Sequence, residues 1–346
     1  MRPWLHHNGW WLRRLLLLPV HLLVFALVAF ALVRTIPGDP VLVVTGNQIS
    51  DDQYADVQRR LGLDGSLAHQ AGEYFGRLLR LDLGDSLITG RSVTEEFGSR
   101  LPQTLELAAL GLSVSLVVVL ALSAVVLLRP RGVISRLAMA YARSAGAIPE
   151  FAVAVAGIFV FYASLHWLPS PLGRLGPDDP VPTPVTRFPL LDAVLTGNPQ
   201  VVGSMLLHLV LPVFAMVVAN SAVLLRLLCS QLEVELARPA TRFRISTGAP
   251  RWVVLASIYR RALPATVTMS GTLFGYMVGG AVVLEGLFGF GGMGQYLTDA
   301  VTSADLTALQ GLLVVIAAVS LVVFLLVDLI NMALDPRRRP GSGGAA

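Results

Sequence analysis

The chain has 346 residues, of which 54% are hydrophobic and 14% are charged, and its formal net charge is +4 at pH 7. A soluble domain of this length carries about a quarter charged residues, so the composition excludes a water-soluble globular protein. All 26 Lys/Arg positions are arginine, and a P-loop needs a lysine to reach the phosphates, which excludes a standard nucleotide hydrolase. The single cysteine, Cys229, excludes an internal disulfide and a cysteine-based metal site.

The apolar residues occur in runs of about twenty, which is long enough to cross a hydrocarbon core roughly 30 Å thick. A transmembrane β-barrel is excluded, because its strands would alternate apolar and polar residues. The fold class that we expect is an all-α polytopic membrane protein. Its six transmembrane helices are predicted at 15–33, 104–128, 148–168, 204–228, 263–284 and 306–330.

Residues 1–14 form a short basic leader before the first span. A signal peptide is the alternative, but the run exceeds a typical h-region and no small-residue cleavage site follows it. Arginines in short loops mark the cytoplasmic side, and with both termini inside, seventeen of the 26 arginines are cytoplasmic. The last segment, 337–346, is rich in Gly, Ser and Ala and is expected to be a disordered tail.

Two long segments are predicted on the outer side of the membrane. Residues 34–102 contain ten acids and seven arginines, and a loop this long is usually functional or packed as a small cap. Residues 169–203 are rich in proline. Together they offer enough surface to receive a soluble binding protein, and a static lid is the alternative.

The five-helix core, 103–336, contains a basic loop at 229–262 on the cytoplasmic side. Gly248 and Pro250 separate two short predicted helices, since Gly suits a helix C-terminus and Pro suits the start of the next helix. We expect this loop to dock a soluble partner; the alternative is a basic loop that only fixes topology and binds anionic lipid. The docking residues are predicted to be Arg238, Arg242, Phe243, Arg244, Gly248, Pro250 and Arg251.

Several short strings occur in a fixed order relative to these spans. They are Ile36–Pro40; Asp82, Gly84 and Ser86; Arg100–Leu107; Ile148–Phe151; Glu285–Phe288 with Gly292–Gly294; and Asp328 with Leu334–Arg337. Over residues 13–339 this order resembles the peptide/nickel class of ABC-transporter permeases, the B-type subunits of dipeptide and oligopeptide importers. One departure is clear. The family's cytoplasmic string E-A-A-x-x-x-G keeps only its glycine here, Gly248, because Arg242, Phe243 and Arg244 occupy the other places.

The resemblance implies a type I ABC importer permease, which forms half of a pathway for peptides or similar small solutes. The implied partners are a second homologous permease, two cytoplasmic ATPase subunits, an extracytoplasmic substrate-binding protein and membrane lipid. ATP and Mg would be bound by the ATPases, and this chain would hold no cofactor or metal and have no catalytic residue. Orientation in the membrane explains the basic residues without nucleic acid.

Two glycine-rich stretches carry further predictions. Gly271, Gly275 and Gly279 recur every four residues, so they are expected to share a face that packs closely on another helix; lining the pathway is the alternative. The stretch after the fifth span is predicted to form an outer gate or re-entrant turn, with a plain surface loop as the alternative. Its residues are Glu285, Phe288, Gly292 and Gly294.

Polar residues in or near the spans are functional hypotheses by default. Glu106, Glu150 and Asp328 lie near span ends, where capping or snorkelling is the simpler explanation, and His208 is expected to be a packed polar residue. An intramembrane hydrolase is a rival function, but no HExxH motif or Gly-x-Ser-Gly context is present. A self-sufficient secondary transporter is the other rival, and it would show inverted repeats and buried coupling charges.

Overall fold

The computed structural model describes residues 3–34, 40–45, 50–60, 64–144, 146 and 148–334. Within these ranges the only strand-like pairing is an isolated bridge between Asp85 and Ser92. The rest of the regular structure is helical, which confirms the predicted fold class. The helices are α1 Pro3–Val33, α2 Pro40–Thr45, α3 Asp51–Arg60, α4 Leu67–Leu78, α5 Val93–Leu128, α6 Val133–Arg143, α7 Glu150–Gly157, α8 Pro189–Leu195, α9 Pro199–Ala237, α10 Pro239–Ser246, α11 Arg251–Phe288, α12 Met293–Thr302 and α13 Leu306–Leu334.

Five of the described helices are long and apolar enough to cross a membrane: the first span at Leu16–Val33, α5, α9, α11 and α13. The predicted third span is shorter than expected. It consists of α7 and a π-helical segment, Ile158–Ser164. These fifteen residues extend about 22 Å at the α-helical rise, which is less than the roughly 30 Å of hydrocarbon. The prediction of 148–168 was too long, because Pro149 caps the start and the backbone leaves the helix after Ser164.

Two helices run well past their predicted spans. α9 has 39 residues and α11 has 38, so each is about 57 Å long and extends beyond the hydrocarbon core. The basic loop 229–262 is therefore formed by the ends of two long helices with α10 between them. The fifth span was predicted to begin near Pro264, but α11 continues through this buried proline. The hydroxyl of Thr268 donates to the Pro264 carbonyl at 3.0 Å within the same turns.

The chain forms two compact units, and the first comprises Thr104–Phe290 with short segments at the two ends of the chain. Its core is built mainly from α5, α7, α9 and α11. One buried cluster includes Leu107, Ala154, Met216, Met277 and Phe288. A second lies toward the basic loop, where α6 joins the packing, and includes Val119, Ala138, Leu228, Ile258 and Ala262. This second cluster packs the C-terminal part of α9 against the N-terminal part of α11.

The second unit comprises Asn8–Gln103 and Gly291–Val322. Ala26 and Ala29 of α1 pack with Leu78 of α4 and Val314 of α13. The segment 34–102 is therefore not an open loop over its described part: it contains α2, α3, α4 and the start of α5. The predicted string Ile36–Pro40 lies outside the described residues except for Pro40, and so does the predicted tail at 337–346.

Ser86, one of the residues that carry the family resemblance, is packed inside the second unit. Ser86 is buried, and its hydroxyl donates to the carboxylate of Asp305, which also accepts the Ala308 backbone N–H at 3.1 Å. Gly84, two residues earlier, has φ = 85° and would bring an added Cβ to 3.0 Å from Thr307. The resemblance at these positions thus corresponds to a packed turn that is anchored to the start of α13.

Candidate functional site

The basic loop contains a rigid turn at the predicted position. α10 ends with a left-handed residue, Gly248, whose φ is 75°. The Gly248 N–H donates to the Ile245 carbonyl and the Ala249 N–H donates to the Arg244 carbonyl, both at 3.1 Å. This pair of hydrogen bonds is a Schellman motif, which satisfies the last carbonyls of a helix. Pro250 then caps the start of α11, so the direction of the chain is fixed within three residues.

A polar network fastens α10 to the two long helices. Glu235 of α9 is 3% exposed, and its carboxylate accepts from Arg261 Nε at 2.7 Å and pairs with Arg238 Nε at 3.0 Å. Arg261 of α11 also donates to the Thr241 hydroxyl of α10 at 2.8 Å and to the Ser257 hydroxyl at 2.9 Å. One guanidinium therefore connects three helices through directed hydrogen bonds.

Three apolar side chains of α10 and the start of α11 are open to solvent. Phe243 is 68% exposed and Trp252 is 72% exposed, and Ile245 is also exposed. Arg242 and Arg251 lie exposed beside them. Aromatic residues and arginine are the types that dominate protein–protein contacts, so this face has the chemistry of a docking surface.

The predicted docking residues divide into three groups. Arg242, Phe243 and Arg251 are exposed, and Gly248 and Pro250 form the turn. Arg238 and Arg244 are exposed as well but also take part in the network, Arg244 by donating to Ser257 at 2.7 Å. The prediction missed the positioning residues: Glu235, Thr241, Ser257 and Arg261. One signal was available for Glu235, because Glu233 and Glu235 are the only acids in the loop 229–262.

A second polar cluster lies at the other end of the first unit. Arg174, in the proline-rich segment, is 7% exposed, and its Nη1 lies 3.0 Å from Glu106 Oε2 on α5. Its Nη2 lies 4.0 Å from Glu285 Oε1 on α11, and Thr104 donates to the same Glu285 oxygen at 2.8 Å. The backbone N–H groups of Leu190 and Leu191 donate to Glu106 Oε1. Burial lowers the pKa of Arg174, and the two carboxylates oppose that shift.

The predicted gate residues lie in two different environments. Glu285 and Phe288 are almost fully buried at the end of α11 in the first unit, which does not fit the alternative of a plain surface loop for these two residues. Gly289 has φ = 63°, and the Phe288 carbonyl accepts from the Gly173 N–H at 2.8 Å. Gly292 and Gly294 belong to the second unit, where Gly292 caps the start of α12.

The three spaced glycines of α11 do not have equivalent neighbours. An added Cβ at Gly271 would lie 2.6 Å from a methyl group of Val327 on α13. At Gly275 and Gly279 it would meet nothing within 4 Å among the residues that the structure describes. Within that part of the chain, the packing role that was predicted for all three glycines therefore has a partner only at Gly271.

The carboxylate of Glu150 lies between α9 and α11. The sequence placed this residue only near the end of a span. Glu150 Oε1 accepts from Asn220 Nδ2 at 3.1 Å, and Glu150 Oε2 is buried without a hydrogen-bond partner among the described residues. A Cβ on Gly280 would lie 2.5 Å from that oxygen. The glycine thus makes room for the carboxylate. His208 has a local role, with its Nδ1 2.8 Å from the Ser204 carbonyl.

Comparison with known proteins identifies the family. Residues 117–340 match the family model of the binding-protein-dependent transport system inner membrane component, and residues 9–108 match the model of the N-terminal part of such membrane components. The chain is 33% identical to the probable D,D-dipeptide transport system permease protein DdpB of Escherichia coli, over 91% of this chain and 93% of that protein. It is 31% identical to the di/tripeptide permease DppB of Pseudomonas aeruginosa, over 90% and 93%, and 29% identical to the dipeptide permease DppB of Alkalihalophilus pseudofirmus, over 94% and 98%.

These relatives are named as permease proteins of peptide transport systems, which are transporter subunits rather than enzymes. The matches to the two family models and the membrane-spanning helices agree with the resemblance found in the sequence. The chain belongs to the family of inner membrane components of binding-protein-dependent transport systems, and it is a multi-pass permease subunit of an ABC importer in a bacterial plasma membrane.

Proposed function

We propose that this permease forms half of the pathway of a peptide importer, together with a second homologous permease. Two cytoplasmic ATPases, which bind ATP and Mg, drive the importer, and an extracytoplasmic binding protein delivers the peptide. The names of the relatives support the substrate class, since they describe transport systems for D,D-dipeptides, dipeptides or di/tripeptides. Both termini and α10 are cytoplasmic in this proposal, in agreement with the arginines of the short loops.

Two features of α10 and the start of α11 support the coupling role. They expose apolar side chains to solvent, and a hydrogen-bond network attaches α10 to α9 and α11. Phe243 and Trp252 are free to enter a groove on an ATPase, and Arg242 and Arg251 flank them. The network around Arg261 prevents α10 from moving independently of α9 and α11. A displacement of α10 by a partner would therefore move two membrane helices together, which is how a local contact shifts an equilibrium between two states.

We also propose that Glu285, Phe288, Gly292 and Gly294 contribute to the outer gate. Support comes from the buried charges, because Glu285 shares Arg174 with Glu106. Separating these charges in a dry environment is costly, so the cluster favours one arrangement of this region. Gly275 and Gly279, where an added Cβ would meet none of the described residues within 4 Å, are proposed to contact the second permease or the solute.

The test is co-purification of the tagged chain from its native membrane in mild detergent. We expect the wild type to bring down a Walker-type ATPase and a second permease. Phe243→Ala/Trp252→Ala and Arg242→Glu/Arg244→Glu/Arg251→Glu are expected to lose the ATPase and keep the second permease. Gly248→Pro, which removes the left-handed turn, is expected to have the same effect.

A matched control is Trp167→Ala, since Trp167 is equally exposed but lies outside the basic loop. It should retain the ATPase. If the wild-type chain purifies alone and moves peptide in liposomes without ATP, the importer model is wrong and a secondary transporter takes its place. If the loop variants retain the ATPase, the docking surface lies elsewhere.

A further inference from the structure

The connection between α5 and α7 has an unusual distribution of charge. Between Glu106 and Glu150 the sequence contains four arginines and no acidic residue. The arginines are Arg129, Arg131, Arg136 and Arg143, and all four are exposed. Among the described residues none of the four forms an ion pair. The positive charge at this end of α5 is therefore not neutralised within the described part of the chain.

Helix α6 presents two different faces. Ser135, Ala138 and Ala142 are buried, and the helix is fastened to α9 by Tyr141, whose hydroxyl donates to the Val218 carbonyl at 2.7 Å. The outward face carries Val133, Ile134 and Leu137, which are 60–65% exposed. These three residues share one side, since residues three and four apart on a helix are neighbours.

The basic residues of α6 border its exposed apolar face. Arg136 and Arg143 are seven residues apart, so they lie on one side of the helix, next to the face formed by Val133 and Leu137. An apolar stripe with arginines along its edge is the pattern of a helix that lies in the membrane interface. α6 begins shortly after the end of α5, which is long and apolar enough to cross a membrane, and this position suits the region where acyl chains meet lipid headgroups.

A groove lies where α5 ends and α6 begins. Its volume is about 500 Å³, and it is lined by Val125, Leu128, Arg129, Gly132, Val133, Ile134 and Ser135. The walls are fixed, because the Ser135 hydroxyl donates to the Arg129 carbonyl at 2.7 Å. At the N-terminus of α6, Gly132 provides no side-chain cap. Apolar walls with one arginine at the rim suit an acyl chain that carries an anionic headgroup.

We propose that this groove and the exposed face of α6 form a binding site for an anionic phospholipid of the surrounding leaflet. The acyl chain lies against Leu128, Val133 and Ile134, and the phosphate is bound by Arg129, with Arg131 and Arg136 beside it. The charge decides between occupants: a zwitterionic lipid fills the groove equally well but does not balance these arginines. The site does not depend on which solute the importer carries.

The experiment measures lipid retention by native mass spectrometry of the purified full-length chain, titrated separately with phosphatidylglycerol and phosphatidylcholine. We expect the wild type to keep at least one phosphatidylglycerol under conditions that remove phosphatidylcholine. Arg129→Gln/Arg136→Gln is expected to weaken phosphatidylglycerol binding on the order of tenfold, since each arginine near an anionic surface contributes appreciably to attraction. Ile134→Ser should weaken the binding of both lipids.

The matched control is Arg80→Gln/Arg187→Gln, which removes two exposed arginines from other parts of the chain and should leave retention unchanged. Equal binding of the two lipids to the wild type, or equal loss in both double variants, overturns the proposal. A second measurement avoids charge changes altogether. A photoreactive residue in place of Leu137 should crosslink to lipid, whereas a crosslink to the second permease would show that a protein covers this face and would also overturn the proposal.

Discussion

The guanidinium of Arg174 lies 3.0 Å from the carboxylate of Glu106, and both side chains are buried. The two residues come from different parts of the sequence, the proline-rich segment and α5, and they meet within the first unit. Glu285 of α11 completes the cluster. The proline-rich segment is therefore attached to α5 and α11 by ion pairs as well as by backbone hydrogen bonds, and it is not an independent surface loop.

Removal of this arginine should be costly. Arg174→Gln leaves two carboxylates in a dry environment, and breaking a buried pair from one side costs about 3–5 kcal/mol. In Arg174→Gln/Glu106→Gln the loss should be smaller than the sum of the single losses, because one positive and one negative charge disappear together. Thermal unfolding of the purified chain in detergent measures the cycle, with exposed Arg187→Gln as control. Additive losses would show that the pair contributes no coupling.

The sequence predicted what depends on neighbouring residues. Runs of apolar residues located the spans, and Gly248 with Pro250 predicted the turn after α10. It did not predict contacts between distant segments: Arg174 is 68 positions from Glu106 and Arg261 is 26 from Glu235. Nor did it predict that the helix of the fifth span begins well before residue 263, since α11 continues through the buried Pro264. Packing around this proline outweighs the one hydrogen bond that it removes.

The glycines of α11 offer a test with a built-in comparison. Gly271→Ala places a methyl group 2.6 Å from Val327, and overpacking of this kind costs about 1–3 kcal/mol. Gly275→Ala adds a methyl group that meets none of the described residues within 4 Å, and it should be neutral or slightly stabilising, because alanine is the better helix former. Melting temperatures of the purified chain distinguish the two. If Gly275→Ala leaves the melting temperature intact but abolishes transport by the importer, that glycine contacts the second permease or the solute.

Glu150 and Gly280 should show coupled effects on stability. Gly280→Ala would push the Glu150 carboxylate away from its position, since the added Cβ would lie 2.5 Å from Oε2, and the bond from Asn220 would break. The carboxylate is the flexible end of its side chain, so we expect a loss of about 1 kcal/mol, at the low end for overpacking. Glu150→Ala/Gly280→Ala should lose less than the two single variants together. Gly279→Ala, the adjacent position with open space, is the control for helix propensity.

Asp192 predicts a pH dependence in the proline-rich segment. Burial alone would raise its pKa, but the bonds from Thr186 and from backbone N–H groups outweigh burial and lower the pKa. An aspartate with a lowered folded-state pKa adds stability above its unfolded value of about 3.9, and this is lost as pH falls through the folded value. The melting temperature of wild type should exceed that of Asp192→Asn at pH 7, and the difference should shrink below about pH 4. A difference that is the same at both pH values would contradict the assignment, and exposed Asp178→Asn is the control.

The network below α10 predicts a separation between docking and coupling. Arg261→Gln removes the guanidinium that joins Glu235, Thr241 and Ser257, while the exposed Phe243 and Trp252 remain. Hydrogen bonds to a charged group contribute about 1.5–3 kcal/mol, and Arg238 still pairs with Glu235, so we expect a loss of about 2 kcal/mol and a folded chain. The ATPase should still co-purify with this variant. ATP hydrolysis by the reconstituted importer, however, should respond less to the loaded binding protein, because α10 would move without carrying α9 and α11.

Two comparisons make this last prediction specific. Arg260→Gln alters the neighbouring arginine, whose Nε donates to the Leu334 carbonyl at 3.2 Å and which takes no part in the network; it should keep both ATPase binding and stimulation. Arg261→Lys retains the charge but not the several directed N–H groups of the guanidinium, so it should recover stability more than stimulation. Loss of the ATPase from Arg261→Gln would mean that Arg261 belongs to the docking surface itself. Full stimulation in Arg261→Gln would mean that α10 transmits movement without this network.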